Sequence, residues 1–384
     1  MKATISRVFS RVLTSVARRN SMRWWHGLPR RCTRRAAIVH YFHQDDDPYS
    51  ELLAGVLPQL QERYRIDLHC HRVAPPDDAS APDRERLRDW SIRDAAALQL
   101  AYQLKSDSRA IERLQWHTPN PQAGAILRQR LGHYLGATIY FEGEWYWGID
   151  RLHYLEKRLQ SAGLAQRPVE TLLIEPQALR FTPIDHPNAT RPILEFFCSL
   201  RSPYTYLAIE RTKRLADHYG ADLQLRFVLP MVMRGLPVGF AKRKYILLDT
   251  KREAERLEMP FGNVVDPVGK PVEDGLAILH RAIARGVGTE FLSSFLSAAF
   301  AEGIDTHRPQ ALRQIALRSG LPSVDLEDAL NDPAWRTMAT VNREALLVSG
   351  LWGVPSFRVV GYPSVWGQDR LWMIERDLLA ATRT

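Results

Sequence analysis

Cysteine is nearly missing from this chain of 384 residues: only Cys32, Cys70 and Cys198 occur, and none forms a C-x-x-C pair. Three thiols cannot build a disulfide framework, and without the paired motif a dithiol oxidoreductase is nearly excluded. A reducing, cytoplasmic setting is the simplest expectation. No stretch approaches the ~18 consecutive apolar residues of a membrane span. Acidic residues are absent from residues 1–44, which hold ten of the 52 Lys and Arg. The formal charge of +9 is concentrated there, and the remainder carries 42 basic against 43 acidic residues. The count therefore demands no basic binding face, and no nucleic-acid partner is expected.

What the chain does have is a repeat. Residues 38–73, shifted by 155 positions, lie on residues 193–228 without a gap. Ile38 and Ile193, Phe42 and Phe197, Pro48 and Pro203, Tyr49 and Tyr204, Tyr64 and Tyr219, Asp67 and Asp222 all match. A second block recurs at the far end of each half: Trp147-Gly148-Ile149-Asp150-Arg151-Leu152 answers to Trp366-Gly367-Gln368-Asp369-Arg370-Leu371, with Glu156 and Glu375 following at equal distance. Repeats this long are duplicated domains rather than solenoid units of ~20–50 residues.

Each half reads as strand, helix, strand, helical insertion, hairpin and helix. In the first half the strand runs over residues 37–42 and the helix opens at Pro48, where a missing N–H costs nothing. A second strand covers 66–73, Ala- and Leu-rich helical sequence reaches about Gln129, and a hairpin over 138–147 turns at Glu142-Gly143-Glu144. In the second half the strands are 193–197 and 223–229, the helix opens at Pro203, and the insertion spans about 242–348. The hairpin strands 356–360 and 364–366 precede a helix from Asp369. Four segments follow: a basic N-terminal segment 1–35, a domain 36–165, a connector 166–191 rich in proline (Pro168, Pro176, Pro183, Pro187), and a domain 192–384. The fold class is α/β, two tandem thioredoxin-like domains, each with a helical insertion.

In the first segment, Ile5, Val8, Phe9, Val12, Leu13 and Val16 recur at helical spacing among Lys2, Arg7, Arg11, Arg18 and Arg19. This pattern suits an amphipathic helix on an anionic membrane surface or an organelle presequence; a disordered basic tail fits equally well. His69 and His71 flank Cys70 and would share one face of a strand. No carboxylate or thiolate is evident beside them at ligand spacing, and the second half has Gln224 and Arg226 instead. No metal is expected.

Three motifs in the second half carry chemistry. Ser202-Pro203-Tyr204-Thr205-Tyr206-Leu207 stands where a strand gives way to a helix, whose N-terminal N–H groups and partial positive charge suit a bound thiolate. Taken alone, Ser202 and Pro203 are equally an N-cap followed by an N1 proline. Gly353-Val354-Pro355-Ser356-Phe357 puts a proline before a strand, where only a special turn explains it. Trp366-Gly367-Gln368-Asp369-Arg370 opens the last helix, where Asp369 can cap the helix or bind an amino group.

In that order and separation, S-P-Y-[ST]-[YW]-L, G-V-P-[ST]-F and W-G-x-D-R resemble the family of 2-hydroxychromene-2-carboxylate isomerases and kappa-class glutathione transferases. Lys242, Tyr245 and Asp249 resemble the stretch after its second strand. The resemblance is close over about residues 192–380 and faint over 36–160. It implies a DsbA-like thioredoxin fold that binds glutathione, with Ser202 on the glutathione sulfur and Val354 pairing with the cysteinyl backbone before a cis Pro355. Gln368 and Asp369 would hold the γ-glutamyl end, and Lys242 would lie near the glycyl carboxylate. The family's Asn after the second strand is absent from the run Met231-Val232-Met233-Arg234-Gly235-Leu236-Pro237.

The first half lacks this set: Asp47 stands in the place of Ser202, and Thr138 is aligned with Pro355. The expected function is a glutathione-dependent isomerase or transferase acting on a small electrophilic or aromatic acid. Phe240, Tyr245, Leu247, Leu248 and Phe261 either wall an acceptor pocket or pack in the core. The expected state is a monomer with an internal pseudo-dimer partner, or a homodimer. The alternative is a non-catalytic scaffold or adaptor touching a membrane through its basic segment. Cys198 is expected to be a buried core thiol rather than a nucleophile.

Overall fold

The computed structural model describes residues 2–33, 36–78, 80–104, 109–184 and 191–383. They group into two compact units: Val16–Gln177 with Val238–Tyr245, and Met1–Ser15 with Ala178–Pro237 and Ile246–Thr384. Pro187 of the connector lies outside the described residues.

The basic N-terminal segment is helical: α1 is Lys2–Leu13 and α2 is Val16–Thr33. Helix α1 belongs to the C-terminal unit. Its Ser10 Oγ donates to the Gly262 carbonyl at 2.9 Å and accepts from the Val264 N–H at 2.9 Å. Helix α2 belongs to the N-terminal unit, where Arg23 pairs with Glu144 and Arg30 with Glu142, each at 2.8 Å. Val8, Phe9, Val12, Trp24 and Trp25 remain exposed. Among the described residues, no helix is long and apolar enough to cross a membrane.

The N-terminal unit continues with β1 (Ala37–His43), α3 (Pro48–Arg63), β2 (Ile66–Arg72), α4 (Arg84–Ala101), β3 (Trp116–Thr118), α5 (Pro121–Leu131), β4 (Thr138–Phe141), β5 (Glu144–Trp147) and α6 (Leu152–Ser161). Its sheet has the order β3-β2-β1-β4-β5. Strands β1 and β2 are parallel, as are β2 and β3, while β4 runs antiparallel to both β1 and β5. The β4–β5 turn is Glu142-Gly143, one residue tighter than expected, because Glu144 already pairs with Phe141. Strand β3 was not anticipated, since three residues carry no alternation worth reading.

The C-terminal unit follows with β6 (Ile193–Cys198), α7 (Pro203–His218), β7 (Asp222–Phe227) and α8 (Phe240–Arg256). The insertion is completed by α9 (Lys270–Ala284), α10 (Gly288–Ser297), α11 (Pro309–Arg318), α12 (Ser323–Asn331) and α13 (Ala334–Val348). Strands β8 (Ser356–Val359) and β9 (Val365–Trp366) and helix α14 (Leu371–Ala381) end the chain. The sheet order is β7-β6-β8-β9, with β6 and β7 parallel and the other neighbours antiparallel. Apart from Ile193, all of β6 is buried, as expected of a strand covered on both faces.

Within each unit the matched residues make matched bonds. Tyr49 donates to Asp94 at 2.8 Å and Tyr204 to Asp249 at 2.8 Å, both pairs standing 155 positions apart. Tyr64 donates to Glu156 at 3.1 Å, and Tyr219 to Glu375 at 3.0 Å. Each glutamate also holds connector backbone: Glu156 accepts the Leu173 N–H at 2.7 Å, and Glu375 accepts the Arg180 N–H at 2.8 Å. Two points within the connector are thus tied down by buried carboxylates.

Strand register corrects one alignment. Phe42 pairs with Thr138 and Phe197 with Ser356, so Thr138 answers to Ser356, and Ala137 stands in the place of Pro355. Hydrogen bonds agree: Thr138 Oγ1 donates to the Leu135 carbonyl at 3.2 Å and Ser356 Oγ to that of Gly353 at 2.8 Å. The Gly148 N–H donates to Ala137 at 2.7 Å, as the Gly367 N–H does to Pro355 at 3.0 Å.

Burial of histidine in the N-terminal unit has a consequence for stability. His133, wedged among Tyr134, Trp145 and Tyr245, is pulled down to about 3 by burial, with Arg128 adding to the effect. Burial takes His43 to about 4, Asp45 opposing and Arg72 assisting. Both are neutral when folded, but take up a proton near their ordinary value of about 6.5 when unfolded. The unfolded chain therefore binds more protons below that value, and stability falls as pH drops from about 6.5 towards 4. Asp47, pushed up to about 6 by burial, opposes this in part. Urea unfolding followed through tryptophan fluorescence, with chelator present, is expected to show this acid weakening. His133→Gln, neutral throughout, should flatten it.

Candidate active site

Ser202 caps α7: its Oγ accepts the Thr205 N–H at 3.2 Å, with Pro203 in the first turn. The residue sits just past the end of β6, and its backbone N–H donates to the Ser199 carbonyl at 3.1 Å. Across the sheet, β8 runs antiparallel to β6, so the residues leading into β8 arrive beside this helix N-terminus. Ser202 Oγ lies 3.4 Å from the Val354 carbonyl oxygen, 152 positions away in sequence. The Val354–Pro355 peptide bond is cis. Gly353 is obligatory here, because a Cβ would fall 2.3 Å from the Trp366 ring. Arg201, one position before the serine, forms a bidentate pair with Asp266 at 2.6 Å on both arms, which secures the turn into the helix.

The Gly367 N–H bond to Pro355 joins the third motif to the second. Gln368 is buried, and its carboxamide is already engaged. Oε1 accepts from Arg211, and Nε2 donates to Glu253 Oε2 at 2.8 Å. Arg211 also donates to the Gln368 carbonyl at 3.1 Å, and burial takes its guanidinium down to about 10. Asp369 is the accessible member, its side chain 25% exposed and 3.5 Å from the Arg370 guanidinium. Five expected site residues, Ser202, Val354, Pro355, Gln368 and Asp369, thus come together around one strand end. Arg211 and Glu253, which hold Gln368, escaped sequence reading because they lie on α7 and α8 with no motif around them.

Lys242 is bonded within its own unit. It belongs to the N-terminal unit, where its Nζ donates to the Ser80 carbonyl at 2.9 Å and burial takes it down to about 8. The aromatic wall is divided as well. Tyr245 is buried with Phe42, Val73 and Trp145 in the N-terminal unit, whereas Phe261 lies among Tyr206 and Phe300 in the C-terminal unit. Phe240 is 66% exposed. Core packing accounts for Tyr245 and Phe261. Cys198 is fully buried, and burial pushes its thiol far up, away from thiolate chemistry.

The corresponding place in the N-terminal unit is closed by its own side chains. Asp47 caps α3 and accepts from Ser50 Oγ at 2.8 Å. The Ser50 hydroxyl in turn accepts the Gln44 N–H at 3.1 Å and the Ala137 N–H at 2.9 Å. Backbone donors at this strand mouth are spent on Ser50, and a carboxylate occupies the position where an anion would bind.

A strand flanked by one parallel and one antiparallel neighbour, with a helix N-terminus at its end and a helical insertion before the hairpin, defines a thioredoxin-type domain. Residues 193–379 match the family of the DSBA-like thioredoxin domain, so the C-terminal half carries a DsbA-like thioredoxin domain. The 2-hydroxychromene-2-carboxylate isomerase of Pseudomonas sp. (strain C18) is 22% identical over 192 residues, covering 48% of this chain and 88% of that protein. Among solved structures, a 2-hydroxychromene-2-carboxylate isomerase is similar at 22% identity and a TM-score of 0.42, over 50% of this chain and 96% of its own. The cytosolic disulfide reductase DsbM from Pseudomonas aeruginosa with GSH is similar at 19% identity and a TM-score of 0.39, over 50% and 97%.

Removing the carboxylate that organises this site should unfold it. Glu253 is buried, accepts from Gln368 and pairs with Arg256 at 2.7 Å. Glu253→Ala takes this acceptor away from both partners and is expected to cost roughly 3–5 kcal/mol. Glu253→Gln, which keeps an acceptor, should cost less in the same urea titration.

Proposed function

We propose that the C-terminal domain binds glutathione and that the chain is a glutathione-dependent isomerase or transferase acting on a small electrophilic or aromatic acid. The observation that carries this reading is the Ser202 hydroxyl, held at the N-terminus of α7 beside the Val354 carbonyl, where a dithiol enzyme would need a reactive cysteine. A hydroxyl there donates to a ligand thiolate without competing for electrons, and the helix N-terminus favours the negative charge. The thiolate adds to an activated carbon of the acid. In isomerisation, rotation about the weakened carbon–carbon bond precedes cleavage of the same C–S bond, so sulfur leaves as it came; in transfer, the adduct is protonated and released. Sequence similarity to an isomerase supports this class of chemistry. On this reading Asp369 receives the γ-glutamyl amino group, with Gln368 shaping the end of the site through its backbone. Lys242 would reach the glycyl carboxylate only after leaving Ser80.

The two units are proposed to be copies of one domain, 36–165 and 192–384, of which the second alone keeps a ligand site. Paired Tyr–Asp and Tyr–Glu bonds and common strand pairing support this. A reducing, cytoplasmic location suits the three free thiols. Light scattering reads whether the chain is a monomer with an internal partner or a homodimer. The engagement of Gln368 favours a second reading, a non-catalytic scaffold touching a membrane through the exposed apolar residues of α1 and α2.

Calorimetry with glutathione, wild type beside Ser202→Ala, separates these. Binding with an ultraviolet thiolate signal that Ser202→Ala weakens by tenfold or more is expected. No binding at millimolar glutathione would leave the scaffold.

A further inference from the structure

One face of the N-terminal sheet gathers imidazoles from three strands. Asp67, His69 and His71 alternate along β2 and so share a face. His40 on β1 pairs in register with His69 and therefore faces the same way. His117 comes from β3 and stacks on His69 with ring centroids 3.9 Å apart. His40 Nδ1 lies 3.0 Å from His71 Nε2, and His69 Nε2 lies 3.0 Å from Asp67 Oδ2. One ligand atom from each of Asp67, His69 and His117 falls within 4.8 Å of the other two. The expectation of no metal passed over Asp67, two positions from His69, and His117, which only the fold brings near.

The other unit shows what this position holds when it serves structure alone. At the offset of 155, His40, His69 and His71 correspond to Glu195, Gln224 and Arg226. There Glu195 is buried and neutralised by Arg226 at 2.8 Å and Arg358 at 2.5 Å, a closed ion-pair network. Gln224 donates to Asp222 at 3.0 Å, the counterpart of His69 on Asp67. The N-terminal sheet replaces that network with imidazoles and adds a further strand, which carries another. Among the described residues, the C-terminal sheet has no strand corresponding to β3.

We propose that Asp67, His69 and His117 form a binding site for a divalent transition-metal ion of the zinc class. Two imidazoles and a carboxylate suit Zn2+, Co2+, Ni2+ or Cu2+ rather than the oxygen-seeking Mg2+ or Ca2+. Bonds of about 2.0–2.1 Å in a tetrahedron put ligand atoms about 3.3 Å apart. The Asp67–His69 separation of 3.0 Å is near that spacing, and the His117 ligand atom lies within 4.8 Å of both. Asp67 and His117 are exposed and His69 partly so, which leaves an entry path and a fourth position for water. His40 and His71 stand behind the site as a hydrogen-bonded pair.

The test is zinc binding to the full-length, untagged protein after chelator treatment and desalting. Equilibrium dialysis is expected to show one tightly held equivalent of Zn2+, and Co2+ in its place should give the visible absorption of a tetrahedral centre. His117→Ala should weaken binding at least tenfold and His69→Ala similarly, whereas His307→Ala in the C-terminal unit should leave it unchanged. Failure to bind zinc at submillimolar concentration, or wild-type affinity in His117→Ala, would overturn the proposal. Because His117 is exposed, that variant keeps its fold, which circular dichroism checks, and it decides the matter even if His69→Ala disturbs the strand.

Discussion

The antiparallel pairing of β6 with β8 is the constraint on which the candidate site depends. Phe197 opposite Ser356 sets the register, and that register alone places Val354 and Pro355 beside a serine 152 positions earlier. On the other side of β6, parallel pairing with β7 requires a crossover, and α7 supplies it by starting where the strand stops. A helix N-terminus and a strand entrance therefore meet at one end of a buried sheet. Side chains refine the meeting point: Gly353 leaves room for Trp366, and Gly367 ties its N–H to Pro355. Shifting the pairing by one residue would turn every side chain on β8 to the opposite face and dissolve the site.

The N-terminal unit obeys the same constraint with a different outcome. Phe42 opposite Thr138 fixes the same crossing, and the Gly148 N–H ties to Ala137 as Gly367 ties to Pro355. What differs is confined to the strand mouth. Asp47 replaces the serine, and Ser50 consumes the donors that a ligand would need. The scaffold bonds, Tyr49 to Asp94 and Tyr64 to Glu156, are kept where they serve packing. The frame of this unit is thus held by contacts distant from its strand mouth.

Much of this was legible because it is local. A strand, a tight turn and a helix opening on proline follow one another directly, so residues 38–73 and 193–228 align without a gap and declare their elements. The hairpins were harder: their loops differ in length, with Glu142-Gly143 in one and residues 360–364 in the other, and the alignment of Thr138 with Pro355 slipped by one. The partners of Gln368 were illegible for another reason. Arg211 and Glu253 sit on separate helices, and a pairing across 115 or 157 positions leaves no local pattern. Helix α8 gave no sign of its division: its opening residues, Lys242 among them, group with the N-terminal unit and the remainder with the C-terminal one. Strand β3 is too short to alternate, yet it delivers His117.

The same sheet position shows two ways of treating polar groups on a partly buried face. Glu195 between Arg226 and Arg358 cancels charge with charge, and each member needs the others because an unpaired buried ion is costly. His40 and His71 avoid charge instead: burial, with the neighbouring imidazoles adding to it, takes both down to about 4, and both are neutral near pH 7. A neutral imidazole retains one nitrogen lone pair, which must find a proton donor or an electron-pair acceptor. Between His40 and His71 the need is met internally. His69 stacks on His117 and bonds to Asp67, as Gln224 bonds to Asp222 in the other unit, so that three potential ligand atoms gather on this face. A polar face built in this way is more open to an incoming cation than the closed network it stands in for.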